Sequence, residues 1–248
     1  DLSADEESQV KVNIEGTRSA VEFAKAVGAG HLHHVSSIAA AGLYEGVFRE
    51  DMFDEAEGLD HPYFMTKHES EKIVRKESKV PWTVYRPAFV VGDSQTGEMD
   101  KIDGPYYFFK ALQRLRESWP RWIPLVGLEG GYINVVPVDY VAEALDYLAH
   151  LPGHDGECFH LVDPKVRPFG EVMNVFCRAA HAPTAGLRLD LKLLGLVPAS
   201  IRTGAAPFSG ACSLGPLEGT GVPDYGAIGL LPPSGMTDAK RSQAGHMV

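Results

Sequence analysis

Cysteine is scarce in this 248-residue chain, and Cys158, Cys177 and Cys212 are odd in number and far apart. That spacing argues against a disulfide framework or a zinc ribbon and fits a reducing compartment, so the expected location is the cytoplasm. Long apolar runs are also missing; none approaches the roughly 18 residues of a membrane span. Basic charge is in deficit, with 23 Lys and Arg against 33 Asp and Glu and a formal net charge of −10. A body this acidic is a poor general partner for nucleic acid or an anionic membrane. The opening segment, DLSADEESQV, has no apolar core and is no signal peptide. It starts in mid-pattern without a methionine, which reads as a chain whose beginning is missing.

What is present is 44% apolar, enough for one large domain or a domain with an appendage. Between Val10 and about Val27, Ile14, Ala20, Val21, Ala24 and Val27 recur at helical spacing, and Gly28 and Gly30 stop the pattern. HLHHVSS reads as a short buried strand, and IAAAG as a loop after it. An acidic loop over residues 50–60 leads into a helix started by Pro62, where Glu71 and Arg75 form an i,i+4 pair. WTVYRPAFVVG is a second strand broken by Pro87, YINVV a third and CFHLV a fourth. Asp139 is placed to cap the helix YVAEALDYLAH, and GEVMNVFCRAA is a further helix. Such alternation predicts an α/β fold with a parallel sheet covered on both faces. Residues 203–235 contain eight glycines and five prolines in 33 positions and keep neither period, so no structure is expected there.

Within HPYFMTKHESEKIV, Tyr63 and Lys67 stack on one face of the Pro62 helix. Ser36 and Ser37 close the strand 26 residues before Tyr63. Ligands of open α/β sheets bind beyond the carboxyl ends of the strands, where a strand-end hydroxyl and a helix-start Tyr/Lys pair can meet. The chemistry would be proton transfer at a carbonyl or alcohol oxygen, with Ser37 hydrogen-bonding that oxygen and Tyr63 exchanging the proton. A phenol with a pKa of about 10 is a sluggish acid–base group at neutral pH. An ammonium ~5 Å away at an effective dielectric of ~20 lowers it by about 2 pH units. The lysine is therefore a requirement of the chemistry. An isolated YxxxK is a solvated helix face in most chains; the ordered set is what carries the signal.

VNIEGT, HHVSSIAAAG, HPYFMTKHESEKIV, VYRPAFVVG and NVVPVDYVAEAL resemble, in order, the motifs of extended short-chain dehydrogenases/reductases. FREDMFDEAEGLDHPY, TGEMDKIDGPYYFFK and FHLVDP are similar to the bacterial, alcohol-forming fatty acyl-CoA reductases. The resemblance spans about residues 1 to 200 and implies a partial Rossmann-like doubly wound sheet. In that reading 1–100 is the second half of an NADP-binding domain, 101–200 a substrate region interleaved with the last strands, and 201–248 an irregular tail. It implies Ser37, Tyr63 and Lys67 as the catalytic set, with Asn13 of the NxxGT helix in support. Ser36, Tyr63, Lys67, Pro87, Ala88, Phe89 and Val90 would meet the cofactor, with NADPH as hydride donor and a fatty acyl-CoA or fatty aldehyde as substrate. A nucleotide-sugar epimerase or dehydratase, and a catalytically inactive fragment, are the alternatives. The family's glycine-rich phosphate turn has no counterpart: GAGHLHH precedes a strand, and GTGVPDYG follows none. Weak cofactor binding by this polypeptide is the expectation.

Other features read as ordinary structure. His31 and His33 share a strand face that His34 does not, so HLHH is no metal cluster. His68 reads as a surface residue, Arg86 as structural, and Lys110, Arg114, Arg116 and Arg121 as a solvated basic face. The run 106–109 lines a core or an acyl channel equally well.

Overall fold

Alternating helices and strands joined by short connections have few ways to pack, and the computed structural model, which describes residues 5–99, 108–118, 120, 125–129 and 131–190, realises the parallel one. In chain order come α1 (Glu6–Gln9), a π-helical stretch (Val10–Glu15), α2 (Gly16–Ala26), β1 (Leu32–Val35), a 3₁₀ turn (Ile38–Ala41), α3 (Pro62–Glu77), β2 (Trp82–Pro87) and β3 (Phe89–Val91). There follow α4 (Phe108–Ser118), β4 (Leu125–Glu129), β5 (Tyr132–Ile133), β6 (Val135–Pro137) and α5 (Val138–Ala149). Last are β7 (Cys158–Leu161), β8 (Arg167–Pro168), α6 (Phe169–Ala179) and β9 (Ala185–Asp190).

The central sheet has the order β1-β2-β7, all parallel, with Val35 opposite Tyr85 and Tyr85 opposite Phe159. Because side chains alternate along a strand, Tyr85, Phe159 and Leu161 face one way and Val84 and Cys158 the other. The first face packs on Val141, Ala144, Leu145 and Leu148 of α5. The second packs on Val21 of α2 and Ile73 and Val74 of α3. Val74 and Val84 are wholly buried, each contributing about 1.5–3 kcal/mol by removal from water. Both faces are thus covered, as a parallel sheet requires.

Four local expectations change. The helix predicted over 10–27 is interrupted by the π-helical stretch at Val10–Glu15. IAAAG is a 3₁₀ turn rather than a loop, because the Ser37 side chain caps it. YINVV divides at Asn134, whose side chain donates to the Asp163 carbonyl (2.6 Å) and accepts from the Asp163 amide (2.9 Å). The two halves join different partners: β6 pairs parallel with β3, while β5 pairs antiparallel with β8. The sheet system is therefore mostly, not wholly, parallel. The glycine- and proline-rich tail, Cys212, Tyr106, Tyr107 and Arg121 lie outside the described residues.

Candidate active site at the carboxyl end of the sheet

Two strand ends and one helix start define the site. Beyond β1 the amide of Ser36 donates to the Tyr85 carbonyl at 2.7 Å, so the chain stays against β2 for one more residue. Ser37 follows in extended backbone, and its Oγ accepts from the Ala39 amide at 3.2 Å. That bond uses the oxygen as acceptor and leaves the hydroxyl hydrogen to donate. Helix α3 begins with Pro62 in its first turn, and the His61 ring accepts from the Tyr63 amide at 3.2 Å. Tyr63 and Lys67 are one turn apart on α3, both half-buried. Lys67 Nζ reaches the Val35 carbonyl at 3.5 Å, a long contact that sets the ammonium against the end of β1. Burial pushes the Lys67 ammonium below its usual pKa, and the Glu71 carboxylate opposes that shift.

Asn13, in the π-helical stretch, donates from Nδ2 to Thr66 Oγ1 at 3.0 Å, and Thr66 donates to the Tyr63 carbonyl at 3.3 Å. The helix segment between Tyr63 and Lys67 is thereby fastened from the other side. Pro87 ends β2, and the Ala88 amide donates to the Leu161 carbonyl (3.0 Å). The Phe89 amide donates to the Asn134 carbonyl (3.2 Å), and Phe89 and Val90 continue into β3, paired with β6. Residues 87–90 thus cross from the central sheet to a neighbouring ladder at the strands' carboxyl ends, a split of the kind where α/β proteins place ligands.

Ser36 has a different setting from Ser37. It is 2% exposed, and its hydroxyl donates to Glu71 Oε2 at 2.7 Å. Glu71 is fully buried and also receives Arg86 Nη2 (2.6 Å), Arg86 Nε (3.1 Å) and Arg75 Nε (2.8 Å). Arg86, equally buried, donates further to the Met52 carbonyl (3.0 Å) and meets His160 Nε2 (3.2 Å). Burial raises the Glu71 carboxyl, but the Arg86 and Arg75 guanidiniums outweigh it and hold the group below the usual carboxylate range. His160 is lowered to about 3 and His34 to about 4, in both cases mainly by burial, so both are neutral at pH 7.

Sequence reasoning saw Glu71 only as half of a pair with Arg75 and missed the layer. The available signal was its position one turn beyond Lys67, which aims a carboxylate at the sheet.

The structural reading of Arg86 agrees with its bonds. Two other readings are corrected. His68 is not a surface residue: it is buried, stacked on Phe53 at 4.3 Å and bonded to the Ala40 carbonyl at 3.0 Å. Asp139 is not the cap of α5, which is Pro137; it lies in the first turn and accepts from the Ser94 amide (3.0 Å) and hydroxyl (2.5 Å). His31 meets Thr83, and His33 meets Tyr85, through ordinary hydrogen bonds. No metal-holding cluster occurs among the described residues. Lys110, Arg114 and Arg116 are exposed on α4, as a solvated face would be. No helix among the described residues is long and apolar enough to cross a membrane.

The Lys67 ammonium and the backbone of residues 87–90 are the groups at this end of the sheet that could meet a cofactor. Gly28, with φ +63°, ends α2 and precedes β1, so GAGHLHH is a helix stop in the structure too. Among the described residues no glycine-rich turn leads from a strand into a helix to cradle the pyrophosphate.

Residues 1–145 match the NAD-binding family described as male sterility protein, and the chain belongs to it. It is an oxidoreductase-type, extended short-chain dehydrogenase-like α/β protein. Among curated relatives, the non-canonical nonribosomal peptide synthetase FrzA of a Cladobotryum species is 30% identical over 165 residues, 61% of this chain and 15% of that protein. The aldehyde reductase lnbA of Aspergillus flavus is 29% identical over 163 residues, 61% of this chain and 16% of its own. This chain therefore matches only a small part of the length of either. Among solved structures, the terminal R domain of the myxalamid PKS-NRPS pathway superposes with a TM-score of 0.63 at 27% identity, over 76% of this chain and 47% of that one. A UDP-glucuronic acid 4-epimerase from Bacillus cereus, at TM-score 0.52 and 18% identity over 73% of this chain and 56% of its own, shares the fold.

Proposed function

We propose that the site reduces a carbonyl group with NADPH, acting on a long-chain fatty acyl-CoA thioester, the corresponding fatty aldehyde, or both. The observation that carries this is the Lys67–Val35 contact (3.5 Å), which sets the ammonium of α3 against the end of β1, two residues before Ser37. Ser37 donates its hydroxyl hydrogen to the substrate oxygen. With an aldehyde, Tyr63 gives the proton that converts the developing alkoxide to an alcohol. With a thioester, the hydride and that proton give a hemithioacetal, whose C–S bond then breaks to release coenzyme A as the free thiol and leave the aldehyde. Lys67 keeps the phenol acidic enough to do so, and its lowered pKa reflects a partly desolvated site in which one charge acts strongly. A reduced nicotinamide, when bound, supplies the hydride. Pro87, Ala88, Phe89 and Val90 would flank its ring, Lys67 its ribose, and Ser36 would act from behind through Ser37. Asn13 steadies the helix.

The aldehyde reductase among the relatives supports an aldehyde as substrate, and the motifs shared with fatty acyl-CoA reductases support a long acyl chain. A second reading has the thioester delivered on a synthetase instead of coenzyme A, because the relatives include a peptide synthetase and the R domain of one.

The test is oxidation of NADPH by the protein with a long-chain aldehyde, an acyl-CoA and a UDP-sugar in parallel, with alcohol identified by gas chromatography. Tyr63→Phe should lower kcat by about 100-fold or more, the size of a lost general acid. Turnover of the UDP-sugar alone would sink the reductase reading.

A further inference from the structure

We propose that Glu71 is a positioning residue of this site: through Ser36 it clasps the strand end that carries Ser37 to the helix that carries Tyr63 and Lys67. The inference rests on the Ser37/Tyr63/Lys67 reading and adds to it a residue that touches neither substrate nor cofactor. Glu71 lies one turn beyond Lys67 and two beyond Tyr63, on the same side of α3. Its Oε2 takes the Ser36 hydroxyl at 2.7 Å, one residue before Ser37. One turn up the helix, Lys67 Nζ meets the carbonyl of Val35, one residue before Ser36. Helix and strand end are therefore joined twice, by consecutive strand residues and by helix residues one turn apart. A slip of either element would break these joins and move the strand end that carries Ser37 along the helix that carries Tyr63.

Stability alone is a weak reason for such an arrangement. A wholly buried carboxylate is costly to desolvate, and well-packed apolar residues often do as well. What the ion pair adds is direction. Arg86 holds both Glu71 oxygens (2.6 and 3.1 Å) and is itself pinned to the Met52 carbonyl (3.0 Å). Both carboxylate oxygens are thus fixed, and Ser36 can dock in only one way. The charged and titratable groups around the clasp are Lys67, Arg75, Arg86, Glu50, His34, His160 and Cys158. Burial pushes the Cys158 thiol up to about 12 and so keeps it neutral. The two histidines are neutral there at pH 7.

Ser36→Ala tests the clasp gently, because it leaves the Arg86 and Arg75 bonds to Glu71 in place and the chain folded. Lys67 is read directly by the pH dependence of its acetylation rate, followed by mass spectrometry of its peptide. In Ser36→Ala the loosened strand end should admit water, and the Lys67 midpoint should rise by about half a pH unit towards its ordinary value. In Glu71→Gln, if it folds, the midpoint should fall instead, because the opposing carboxylate is gone. Ser36→Thr, which keeps the hydroxyl, should restore the wild-type midpoint. Where carbonyl reduction is measurable, Ser36→Ala should lower kcat about tenfold with little change in KM. A folded Ser36→Ala with the wild-type Lys67 midpoint overturns the proposal. Absence of reductase activity in wild type, with the midpoint still moving, would sink the functional reading and spare this one.

Discussion

The helix–strand layer around Glu71 and the contact between α4 and α6 both enclose side chains, yet they are built from different materials. In the first, Ser36, Thr66, Ser70, Glu71 and Arg86 are among the most enclosed side chains of the described residues. In the second, Leu112, Cys177 and Ala182 pack with Leu115, Met173 and Phe176, and Phe109 meets Phe176 edge-on at 5.6 Å. The ion pair of α6, Arg167 with Glu171, is about half exposed. Apolar packing fills volume and tolerates small shifts, whereas a hydrogen-bonded ion pair has one geometry. The region beside Ser37, Tyr63 and Lys67 uses the second kind. The contact between α4 and α6 uses the first.

Breaking the comparison is most direct at Arg86. Arg86→Met should destabilise the protein by about 3–5 kcal/mol in urea unfolding, because it leaves a buried carboxylate short of its main partner. A loss under about 1 kcal/mol would show that the layer is not ionic in the way its distances suggest.

Acid should attack the same layer. His34 and His160 have folded-state pKa values depressed to about 4 and about 3, so the unfolded chain takes up their protons first. Their contribution is fully present above about pH 6.5, the ordinary histidine value, and drains away as pH falls towards 4 and then 3. Glu71, also depressed, adds a loss below its own ordinary carboxylate value. The Nε2 of His34 is buried without a hydrogen-bond partner among the described residues. His34→Leu should therefore cost little at pH 7 and flatten the urea midpoint between pH 6.5 and 4; an unchanged acid slope would count against this assignment.

In the apolar region Leu112→Ala should lose about 2–3 kcal/mol by cavity formation, while the Lys67 acetylation midpoint stays at the wild-type value. A moved midpoint would mean the two regions are coupled. The smallest effect is expected at Arg167→Ala, below about 1 kcal/mol, since an exposed pair is screened by water. A larger loss in thermal unfolding would revise the picture of α6.

The parallel sheet, α3 with its proline start, the end of β2 at Pro87 and the Tyr63/Lys67 face were all legible from period and punctuation. So was the structural part of Arg86. His68 points away from the Lys67 face of α3, but that side is not solvent: the ring stacks on Phe53 and bonds the Ala40 carbonyl inside the fold. Asp139 was misread because capping is a local rule, and Ser94, 45 residues away, competed for the carboxylate.

The sequence by itself determined the main helices and strands around the central sheet, the parallel sense of that sheet, and the residue types available at one end of it. Those follow from spacing along the chain, which is a local property. Only the tertiary structure decided that Ser36 turns inward to Glu71 while Ser37 caps the 3₁₀ turn, and that Arg86 closes the layer beneath Lys67. Such choices depend on which buried polar group finds a partner across the fold, and that partner lies 15 to 35 residues away in the chain.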